Sequence, residues 1–457
     1  MDLFDAADPR PVHFMGVGGA GMSALALVTL RRGVPVTGCD QDPAGAADIV
    51  SAGGHVVRGH DPAHVGGARA VVVTAAVRAS HPELEAARAA GVPVVPRKAA
   101  LAALLTGRTV VAAAGTHGKT TTTVMATEAL AAAGLAPTGL AGGRVGSWGG
   151  NARLDGDALF VVEADEYDQA FLALDPSVAI VNNVEADHLE CYGTVEHLEA
   201  AFQEFAGRAR VAIVGVEDAG AARLAGRLGT RVWRFGERDD AELRLSGIAH
   251  DADGSRARLR LPDGTTVTLR LQVPGRHNIL NATGALGAVV ALGGAVEPAL
   301  AALAAFRGVG RRFDRLGEAA GVAIVDDYAH HPSELVATLA AARQAYPGRR
   351  LVAVFQPHLY SRTEQHGAAM GHALAAADVA VVSDVYAARE APIAGVSGER
   401  VAEAARGAGA AVVYEPDRAA LTARVRGLLA RGDLVLTLGA GDITQVGPEL
   451  LRDLQAS

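Results

Sequence analysis

A lysine in a glycine-flanked turn is the first feature of the sequence that could do chemistry. An apolar run at 110–114 predicts a buried strand, the turn follows, and Lys119 opens a helical stretch that extends to residue 133. In such a strand–loop–helix the loop N–H groups converge on an anion. Lys119 can neutralise terminal phosphates, and the Thr120 hydroxyl can ligate Mg²⁺. The stretch therefore predicts a phosphate-binding loop.

This loop departs from the full Walker pattern at one position, because Ala113 stands where that pattern has glycine. A glycine-rich turn with a surface lysine would look similar. The chain, however, has only two lysines, Lys98 and Lys119, and its other basic side chains are arginines. A compact ammonium that fits between phosphates is a role that arginine does not fill. The rarity of lysine therefore favours the functional interpretation.

Two polar side chains follow neighbouring strands and are candidate partners of Lys119. Glu163 ends an apolar strand at 158–162, and His188 comes shortly after a strand at 178–181. The carboxyl ends of parallel strands share one sheet edge, so we expect both near the metal position. Carboxylate oxygen suits Mg²⁺, whereas His188 could instead act as a base or orient water. Each residue alone could also be a solvated strand-end side chain.

The first hundred residues contain a second glycine-rich turn. A strand at 11–15 leads into the G-x-G-x-x-G pattern at 16–21, a helix follows, and the next strand ends at Asp40. Alone, this βαβ pattern predicts NAD binding, with Asp40 on the ribose. The same turn would hold any diphosphate, including that of a UDP-sugar, or could simply pack helix on strand. Thr74 ends a further strand at the same predicted edge.

Other candidates lie in a glycine-rich segment and in the last third of the chain. We expect the segment 142–151, which includes Asn151, to form a loop that approaches substrate. Asn278 and Asn281 share one face of a helix start, where they could read an adenine edge or cap the helix; their spacing favours caps. Polar groups also end the strands of a third α/β region, marking its functional edge: Asp327, His330, His331 and His358, with Arg362 shortly after.

Composition limits the class of protein. With 457 residues, half of them apolar and only 4% aromatic, the chain suits about three α/β domains. A net charge of −8 without basic blocks argues against a nucleic-acid surface. Cys39 and Cys191 form no disulfide framework and show no metal-type spacing, so we expect small buried hydrophobes.

Two further stretches bear on localisation. The acidic first ten residues do not resemble a signal peptide, and the apolar stretch 283–306 is interrupted by Glu297-Pro298. We therefore expect a soluble cytoplasmic protein with small-molecule partners and no membrane or nucleic-acid partner.

Together these motifs resemble the Mur ligase family over essentially the whole chain. The residues that carry the resemblance are Gly115-Thr116-His117-Gly118-Lys119-Thr120-Thr121, Glu163, His188, Asn278-Ile279-Leu280-Asn281-Ala282, Arg312 and Asp327-Tyr328-Ala329-His330. The resemblance implies three domains: a Rossmann-like UDP-binding domain at 1–106, a P-loop ATPase-like central domain at 107–310 and a Rossmann-like C-terminal domain at 311–457. It also implies that the turn at 16–21 binds UDP and not NAD.

The resemblance implies roles for individual residues. Catalysis would use Lys119, Glu163 and His188, and Mg²⁺ would be bound by Thr120, Glu163 and His188. ATP would be contacted by Gly115, Thr116, His117, Gly118, Lys119, Thr120, Thr121, His277, Asn278, Asn281, Arg312 and Asp327. Substrates would be bound by Gly18, Gly19, Ala20, Gly21, Asp40, Thr74, Asn151, His330, His331 and Arg362.

Within the family, further segments resemble the branch that joins L-alanine to the lactyl carboxylate of UDP-N-acetylmuramate through an acyl phosphate. They are His13–Met22, Glu163–Glu166, Tyr328–Pro332, Gln356–His358 and Asp384–Tyr386. This activity belongs to peptidoglycan precursor synthesis in the cytoplasm, on which cell shape and division depend. Alternatives are a family ligase that adds a tripeptide during cell-wall recycling, and a non-catalytic UDP-sugar and ATP sensor. Either a monomer or a homodimer is compatible with the sequence.

Two departures from the family bear on the site. Several relatives carry a carbamylated lysine near a second Mg²⁺, but this chain has no lysine after Lys119. Leu359 stands where some relatives have a basic residue, close to Arg362, for which the resemblance implies a part in amino-acid recognition.

Overall fold

The computed structural model describes residues 2–251, 254–388 and 390–456 and has three β-sheets with helices between their strands. The chain divides into two compact units, which we describe separately. The first unit comprises Met1–Ser246, Arg258–Leu269 and Leu280–Ala304, and the second comprises Gly247–Ala257, Arg270–Ile279 and Ala305–Ser457. The predicted α/β class is confirmed.

The first sheet has five parallel strands in the order β3-β2-β1-β4-β5. Its strands are β1 (Val12–Met15), β2 (Val36–Asp40), β3 (His55–Arg58), β4 (Ala70–Val73) and β5 (Val94–Pro96), and its helices are α1 (Ala20–Arg31), α2 (Ala47–Ser51), α3 (Pro82–Ala89) and α4 (Arg97–Leu105). The predicted βαβ start corresponds to β1, α1 and β2. The alternating faces of β1 pack against different helices, because Phe14 lies in the core with α1 and Met15 lies in the core with α3.

The second sheet has ten strands in the order β15-β14-β13-β12-β11-β10-β6-β9-β7-β8. The strands are β6 (Thr109–Ala114), β7 (Pro137–Val145), β8 (Gly150–Leu154), β9 (Leu159–Glu163), β10 (Val178–Val181), β11 (Val211–Gly215), β12 (Val232–Gly236), β13 (Leu243–Asp251), β14 (Gly254–Arg260) and β15 (Thr266–Leu271). The helices are α5 (Lys119–Ala132), α6 (Leu189–Tyr192), α7 (Val195–Gly207), α8 (Ala219–Leu228), α9 (Arg276–Ala291) and α10 (Val296–Ala305). The strands β13 to β15 and α9 include residues of both units.

The segment 142–151 is not the loop that we expected. It contributes to β7 and β8, which pair in an antiparallel hairpin, and Asn151 lies within β8. Gly149 adopts φ +66° in the turn between the strands, a conformation that favours glycine. The loop prediction was wrong because it relied on the low strand propensity of glycine. In the structure, pairing between β7 and β8 outweighs that propensity.

The second unit contains a sheet in the order β16-β17-β21-β18-β19-β20, with β16 antiparallel to its neighbour. The strands are β16 (Asp314–Ala319), β17 (Val322–Asp327), β18 (Leu351–Phe355), β19 (Val379–Val382), β20 (Val412–Tyr414) and β21 (Leu434–Leu438), and the helices are α11 (Pro332–Ala345), α12 (Tyr360–Leu374), α13 (Gly398–Gly407), α14 (Arg418–Arg426) and α15 (Val446–Gln455). Central strands such as β18 are fully buried, as expected for a parallel sheet covered by helices. Among the described residues, no helix is both long and apolar enough to cross a membrane.

Candidate active site

Glycine is required at two positions of the predicted phosphate-binding loop, which connects β6 to α5. Gly115 has φ +130° and Gly118 has φ +82°. A Cβ atom at position 115 would lie 3.1 Å from the backbone of Asn182 and Asn183, and one at position 118 would lie 2.5 Å from Asn281 Oδ1. The loop is therefore both left-handed and crowded at its glycines, so a larger side chain would displace its backbone.

The segment that follows β10 braces this loop. The His117 N–H donates to Asn183 Oδ1 at 2.8 Å, and Asn182 Nδ2 donates to the Thr122 hydroxyl at 2.9 Å. The Glu185 N–H donates to the Thr116 hydroxyl at 2.8 Å. No sequence motif singled out Asn182 and Asn183, but their side chains fix the shape of the phosphate loop.

Lys119 is the first residue of α5, and its side chain points into the loop. Its Nζ donates to Glu166 Oε1 at 2.8 Å, to the Gly115 carbonyl at 2.8 Å and to the Thr116 carbonyl at 3.2 Å. Burial alone would lower the pKa of Lys119, but the carboxylates of Glu166, Asp165 and Glu163 raise it, so the ammonium stays charged. Burial raises the pKa of Glu166, against the attraction of Lys119. No sequence pattern indicated this role for Glu166.

Glu163 ends β9 and lines a cavity of about 670 Å³ in the first unit. One carboxylate oxygen accepts a hydrogen bond from the Gly142 N–H. The cavity is also lined by most of the residues predicted to bind the UDP substrate: Gly18, Gly19, Ala20, Gly21, Asp40 and Thr74. Two further side chains that line it, Arg97 and Asp165, were not predicted to do so. The glycine-rich turn and the strand beside the phosphate loop therefore share one cavity.

Asp40 stabilises the glycine-rich turn itself. Its Oδ2 accepts from the Gly18 N–H at 2.9 Å, and its Oδ1 accepts from the Asp42 N–H at 2.9 Å. A Cβ atom on Gly18 would lie 2.6 Å from the Asp42 carbonyl oxygen, so this turn also depends on glycine. Arg97 lies over the same turn, with a guanidinium nitrogen 2.6 Å from where a Cβ on Gly21 would be. No sequence motif surrounds Arg97, which explains why it was not predicted.

Asn151 packs against α1 and does not line the cavity. Its Nδ2 donates to the Ser23 hydroxyl at 2.8 Å and to the Ala20 carbonyl at 3.3 Å. The side chain is 5% exposed. Through these contacts Asn151 of β8 positions the first turn of α1, which carries the end of the glycine-rich turn.

His188 precedes α6 in a left-handed conformation, with φ +53°. Its Nδ1 lies 3.4 Å from Glu190 Oε1, and its Nε2 lies 3.7 Å from Asp187 Oδ2. The ring packs edge-on against Tyr167, with ring centroids 5.1 Å apart. The positive form of His188 lowers the pKa of Glu166, so the imidazole is electrostatically coupled to the Lys119–Glu166 pair.

In the second unit, Asp327 organises the end of β17. Its two oxygens accept from the Phe313 N–H at 2.7 Å and the Ala329 N–H at 2.8 Å. Burial raises the pKa of Asp327 to about 6. The Arg312 guanidinium lies 4.8 Å from the centre of the Tyr328 ring. Arg312 and Asp327 therefore belong to one local cluster, although they come from separate sequence motifs.

The histidines and the arginine that follow this cluster occupy helix starts. The His331 side chain caps α11 by accepting from the Ser333 N–H at 3.4 Å, and His330 Nδ1 lies 2.9 Å from the Tyr328 carbonyl. Arg362 lies in the first turn of α12 and is 7% exposed. Part of the role of His331 is therefore to stabilise the fold.

The three predicted nucleotide contacts of α9 differ in their surroundings. Asn278 Nδ2 donates to the Pro274 carbonyl at 2.7 Å, a local bond at the start of the helix. Asn281 instead contacts Gly118 of the phosphate loop. Burial lowers the pKa of His277 to about 4, so this imidazole is neutral at pH 7.

The donor atoms around the phosphate loop fit Mg²⁺ better than a softer metal. Thr120 is buried in the first turn of α5, and Glu163 ends the neighbouring strand β9, so both offer hard oxygen ligands. The loop also supplies an ammonium and the free N–H groups of a helix N-terminus, which suit a phosphate chain. The residues present therefore fit a magnesium–nucleotide complex.

Comparisons with known proteins agree with this arrangement. Three family models match: the Mur ligase family catalytic domain at 11–109, the Mur ligase middle domain at 113–289, and the Mur ligase glutamate ligase domain at 311–441. A protein of Kineococcus radiotolerans named UDP-N-acetylmuramate--L-alanine ligase is 48% identical, covering 96% of this chain and 95% of the relative. A protein of Mycolicibacterium gilvum with the same name is 45% identical, covering 97% and 96%.

Solved structures are similar over nearly the whole chain. The crystal structure of UDP-N-acetylmuramate-alanine ligase from Thermotoga maritima has a TM-score of 0.84 and 28% identity, covering 98% of this chain and 99% of that one. A murein peptide ligase from Psychrobacter arcticus shares the fold, with a TM-score of 0.73 at 24% identity and coverage of 98% and 99%. The chain belongs to the Mur ligase family.

Proposed function

We propose that this chain is an ATP-dependent ligase that joins L-alanine to the lactyl carboxylate of UDP-N-acetylmuramate in peptidoglycan precursor synthesis. The name of its full-length relatives supports the choice of both substrates. The chain works in the cytoplasm, as a monomer or a homodimer. Its functional division is the one the sequence suggests, with a UDP-binding domain at 1–106, an ATP-binding domain at 107–310 and a third domain at 311–457.

One observation carries the proposal. Glu163 lines the cavity beneath the glycine-rich turn and also acts electrostatically on Lys119 of the phosphate loop. A UDP-linked substrate in that cavity would therefore present its far end beside the bound phosphate chain. This is the geometry that phosphorylation of a substrate carboxylate requires.

The reaction has two steps because a carboxylate has no leaving group. The lactyl carboxylate attacks the terminal phosphorus of ATP and ADP leaves, which gives the acyl phosphate. The amine of L-alanine then attacks the acyl carbon, and the tetrahedral intermediate collapses to the amide and releases phosphate. Lys119 neutralises charge on the transferring group. Thr120, Glu163 and His188 would hold Mg²⁺, which would supply further positive charge there. His188, or a water that it orients, accepts the proton of the amine.

The remaining predicted residues bind and position the two substrates and the nucleotide. Residues 115–121 and Asn281 surround the phosphates, and His277, Asn278, Arg312 and Asp327 contact the rest of ATP. Gly18, Gly19, Ala20, Gly21 and Thr74 receive the UDP group in the cavity, while Asp40 and Asn151 hold the turn in shape. His330, His331 and Arg362 recognise the amino acid.

Phosphate release tests the proposal. The purified chain is incubated with ATP, Mg²⁺ and UDP-N-acetylmuramate, with and without L-alanine, and the product is examined by mass spectrometry. Release that needs both substrates, with an amide product, is the expected result. Release with a tripeptide but not with L-alanine would move the chain to the recycling branch. No release with either would favour a nucleotide sensor.

A further inference from the structure

A cluster of histidine, cysteine and glutamate side chains lies on the face of the first sheet opposite α1. His13 comes from β1, Cys39 from β2, His64 from the 3₁₀ helix Pro62–Val65, and Glu83 from the first turn of α3. One ligand atom from each of these four residues lies within 4.8 Å of the others. None of the four has a part in the proposed ligase reaction.

Nitrogen and oxygen atoms of three side chains converge on the sulfur of Cys39. Its Sγ lies 3.4 Å from His13 Nε2, 3.4 Å from Glu83 Oε1 and 3.2 Å from His60 Nδ1. In the metal-free chain the thiol can donate to Glu83 and accept from the imidazoles, so the same atoms that could hold a metal are hydrogen-bonded to one another. Tetrahedral zinc bond lengths place a thiolate sulfur and an imidazole nitrogen about 3.5 Å apart, which matches the spacing here.

We propose that His13, Cys39, His64 and Glu83 bind one zinc ion. Thiolate, imidazole and carboxylate together are a ligand set that suits zinc. With one thiolate and one carboxylate, the bound Zn²⁺ forms a neutral group, which lowers the cost of burying it. The 2.7 Å contact between His64 Nδ1 and Glu83 Oε1 is a hydrogen bond that the ion replaces. Binding releases the thiol proton of Cys39 to solvent.

The surroundings of the four ligands support this assignment. The Thr37 hydroxyl lies 2.9 Å from His13 Nδ1; when Nδ1 donates to it, Nε2 presents its lone pair toward Cys39. Cys39 and Glu83 are fully buried, whereas the His64 side chain is 22% exposed and leaves a path for the ion.

The proposed ion would cross-link four elements next to the substrate turn. Cys39 directly precedes Asp40, whose carboxylate holds the Gly18 N–H. The zinc site is therefore a structural clamp behind the glycine-rich turn, and it is independent of the magnesium site at the phosphate loop.

Metal analysis of the full-length chain tests the proposal. The chain is produced without a histidine tag, stripped with a chelator, reloaded with Zn²⁺ and desalted, and its zinc is counted by mass spectrometry. We expect one zinc per chain in the unsubstituted protein and in Cys191→Ser, the matched control, and none in Cys39→Ser. Thr37→Val should weaken binding about ten- to hundredfold, because it removes the group that orients His13.

Cobalt gives a second readout that does not depend on a variant folding. Co²⁺ bound to the unsubstituted chain should show a thiolate-to-metal charge-transfer band and the intense visible bands of a four-coordinate site. Both should persist in Cys191→Ser. Failure of the unsubstituted chain to retain zinc, or equal retention by a folded Cys39→Ser, would overturn the proposal and leave a hydrogen-bonded cluster. Neither result depends on ligase activity.

Discussion

Lys119 and Glu166 form an ion pair inside the phosphate loop, with 2.8 Å between Nζ and Oε1. Glu166 is 2% exposed, and among the described residues its second oxygen has no hydrogen-bond partner. The Lys119 ammonium therefore supplies the positive charge that compensates the buried negative charge of Glu166. This arrangement places the ammonium where a phosphate chain would bind, but it also couples the role of Lys119 in catalysis to the stability of the loop.

Replacing Lys119 by alanine should abolish ligation and also destabilise the loop. We expect turnover to fall by about 10²–10³ or more, since a preorganised positive group at the transferring phosphoryl is lost. Leaving Glu166 buried and unpaired can cost up to about 3–5 kcal/mol. Phosphate release and denaturant unfolding measure the two effects separately.

The double substitution Lys119→Ala with Glu166→Gln separates catalysis from folding. A neutral amide removes the uncompensated charge, so the free energy of unfolding should recover much of what the single substitution loses. Ligation should stay absent. Recovery of activity together with stability would show that Lys119 acts only on the fold.

Arg97 should contribute to binding of the sugar nucleotide because its guanidinium lies over the glycine-rich turn in the cavity. Arg97→Ala removes a charged hydrogen-bond donor worth about 1.5–3 kcal/mol, so KM for UDP-N-acetylmuramate should rise about ten- to hundredfold. KM for ATP should change little. Arg238→Ala, which removes an exposed arginine elsewhere, is the matched control. An unchanged KM in Arg97→Ala would exclude this contact.

Much of this fold could be predicted because its central strands are continuous apolar runs that end in glycine or polar residues. Strand β10, for example, begins and ends where the sequence indicated, at residues 178 and 181. Because parallel strands end at one edge, we expected Glu163 near Lys119, and its carboxylate acts electrostatically on that ammonium. Local patterns were sufficient there because each strand is buried on both faces.

Other features depend on contacts between distant segments and left no local pattern. Glu166 was one acid among several until the structure placed it against Lys119. Arg97 is an ordinary helix-start arginine in the sequence. Cys39 lacked metal-type spacing because it and its neighbours His13, His64 and Glu83 come from four separate elements. The half-buried strand β3 was missed because it is short and lacks a continuous apolar run.

Gly18→Ala should weaken sugar-nucleotide binding by disturbing the turn that Asp40 holds. The added Cβ would lie 2.6 Å from the Asp42 carbonyl oxygen, so the backbone must move. We expect a cost of about 1–3 kcal/mol and a higher KM for UDP-N-acetylmuramate. Gly226→Ala in α8 is a suitable contrast, because nothing lies within 4 Å of its Cβ position. That variant should be neutral or slightly stabilised, with unchanged kinetics.

Glu163→Gln should raise the Mg²⁺ concentration needed for half-maximal activity. Glutamine keeps an oxygen that can accept from the Gly142 N–H, so the end of β9 should hold its shape. It loses the charge that attracts a hard cation. Titration of activity with Mg²⁺ measures the change, and excess Mg²⁺ should restore part of the lost rate. A Mg²⁺ requirement equal to that of the unsubstituted chain would argue against Glu163 as a ligand.

His277 should make the second unit less stable as the pH falls below 6.5. Burial lowers the pKa of His277 to about 4 in the folded chain, with Glu334 opposing the shift and His250 and Arg312 reinforcing it. Above pH 6.5 the imidazole is neutral in both states. Between about pH 6.5 and 4 the unfolded chain binds the proton first, so unfolding becomes more favourable by up to about 3 kcal/mol.

Comparison with His277→Gln isolates this contribution from that of the carboxylates, which also titrate in this range. The denaturation midpoint of the unsubstituted chain should fall more steeply between pH 7 and 5 than that of the variant. His372→Gln, which removes an exposed histidine of α12, should keep the steep dependence. Identical pH dependence in all three proteins would mean that the His277 imidazole is protonated equally well in the folded and unfolded chain.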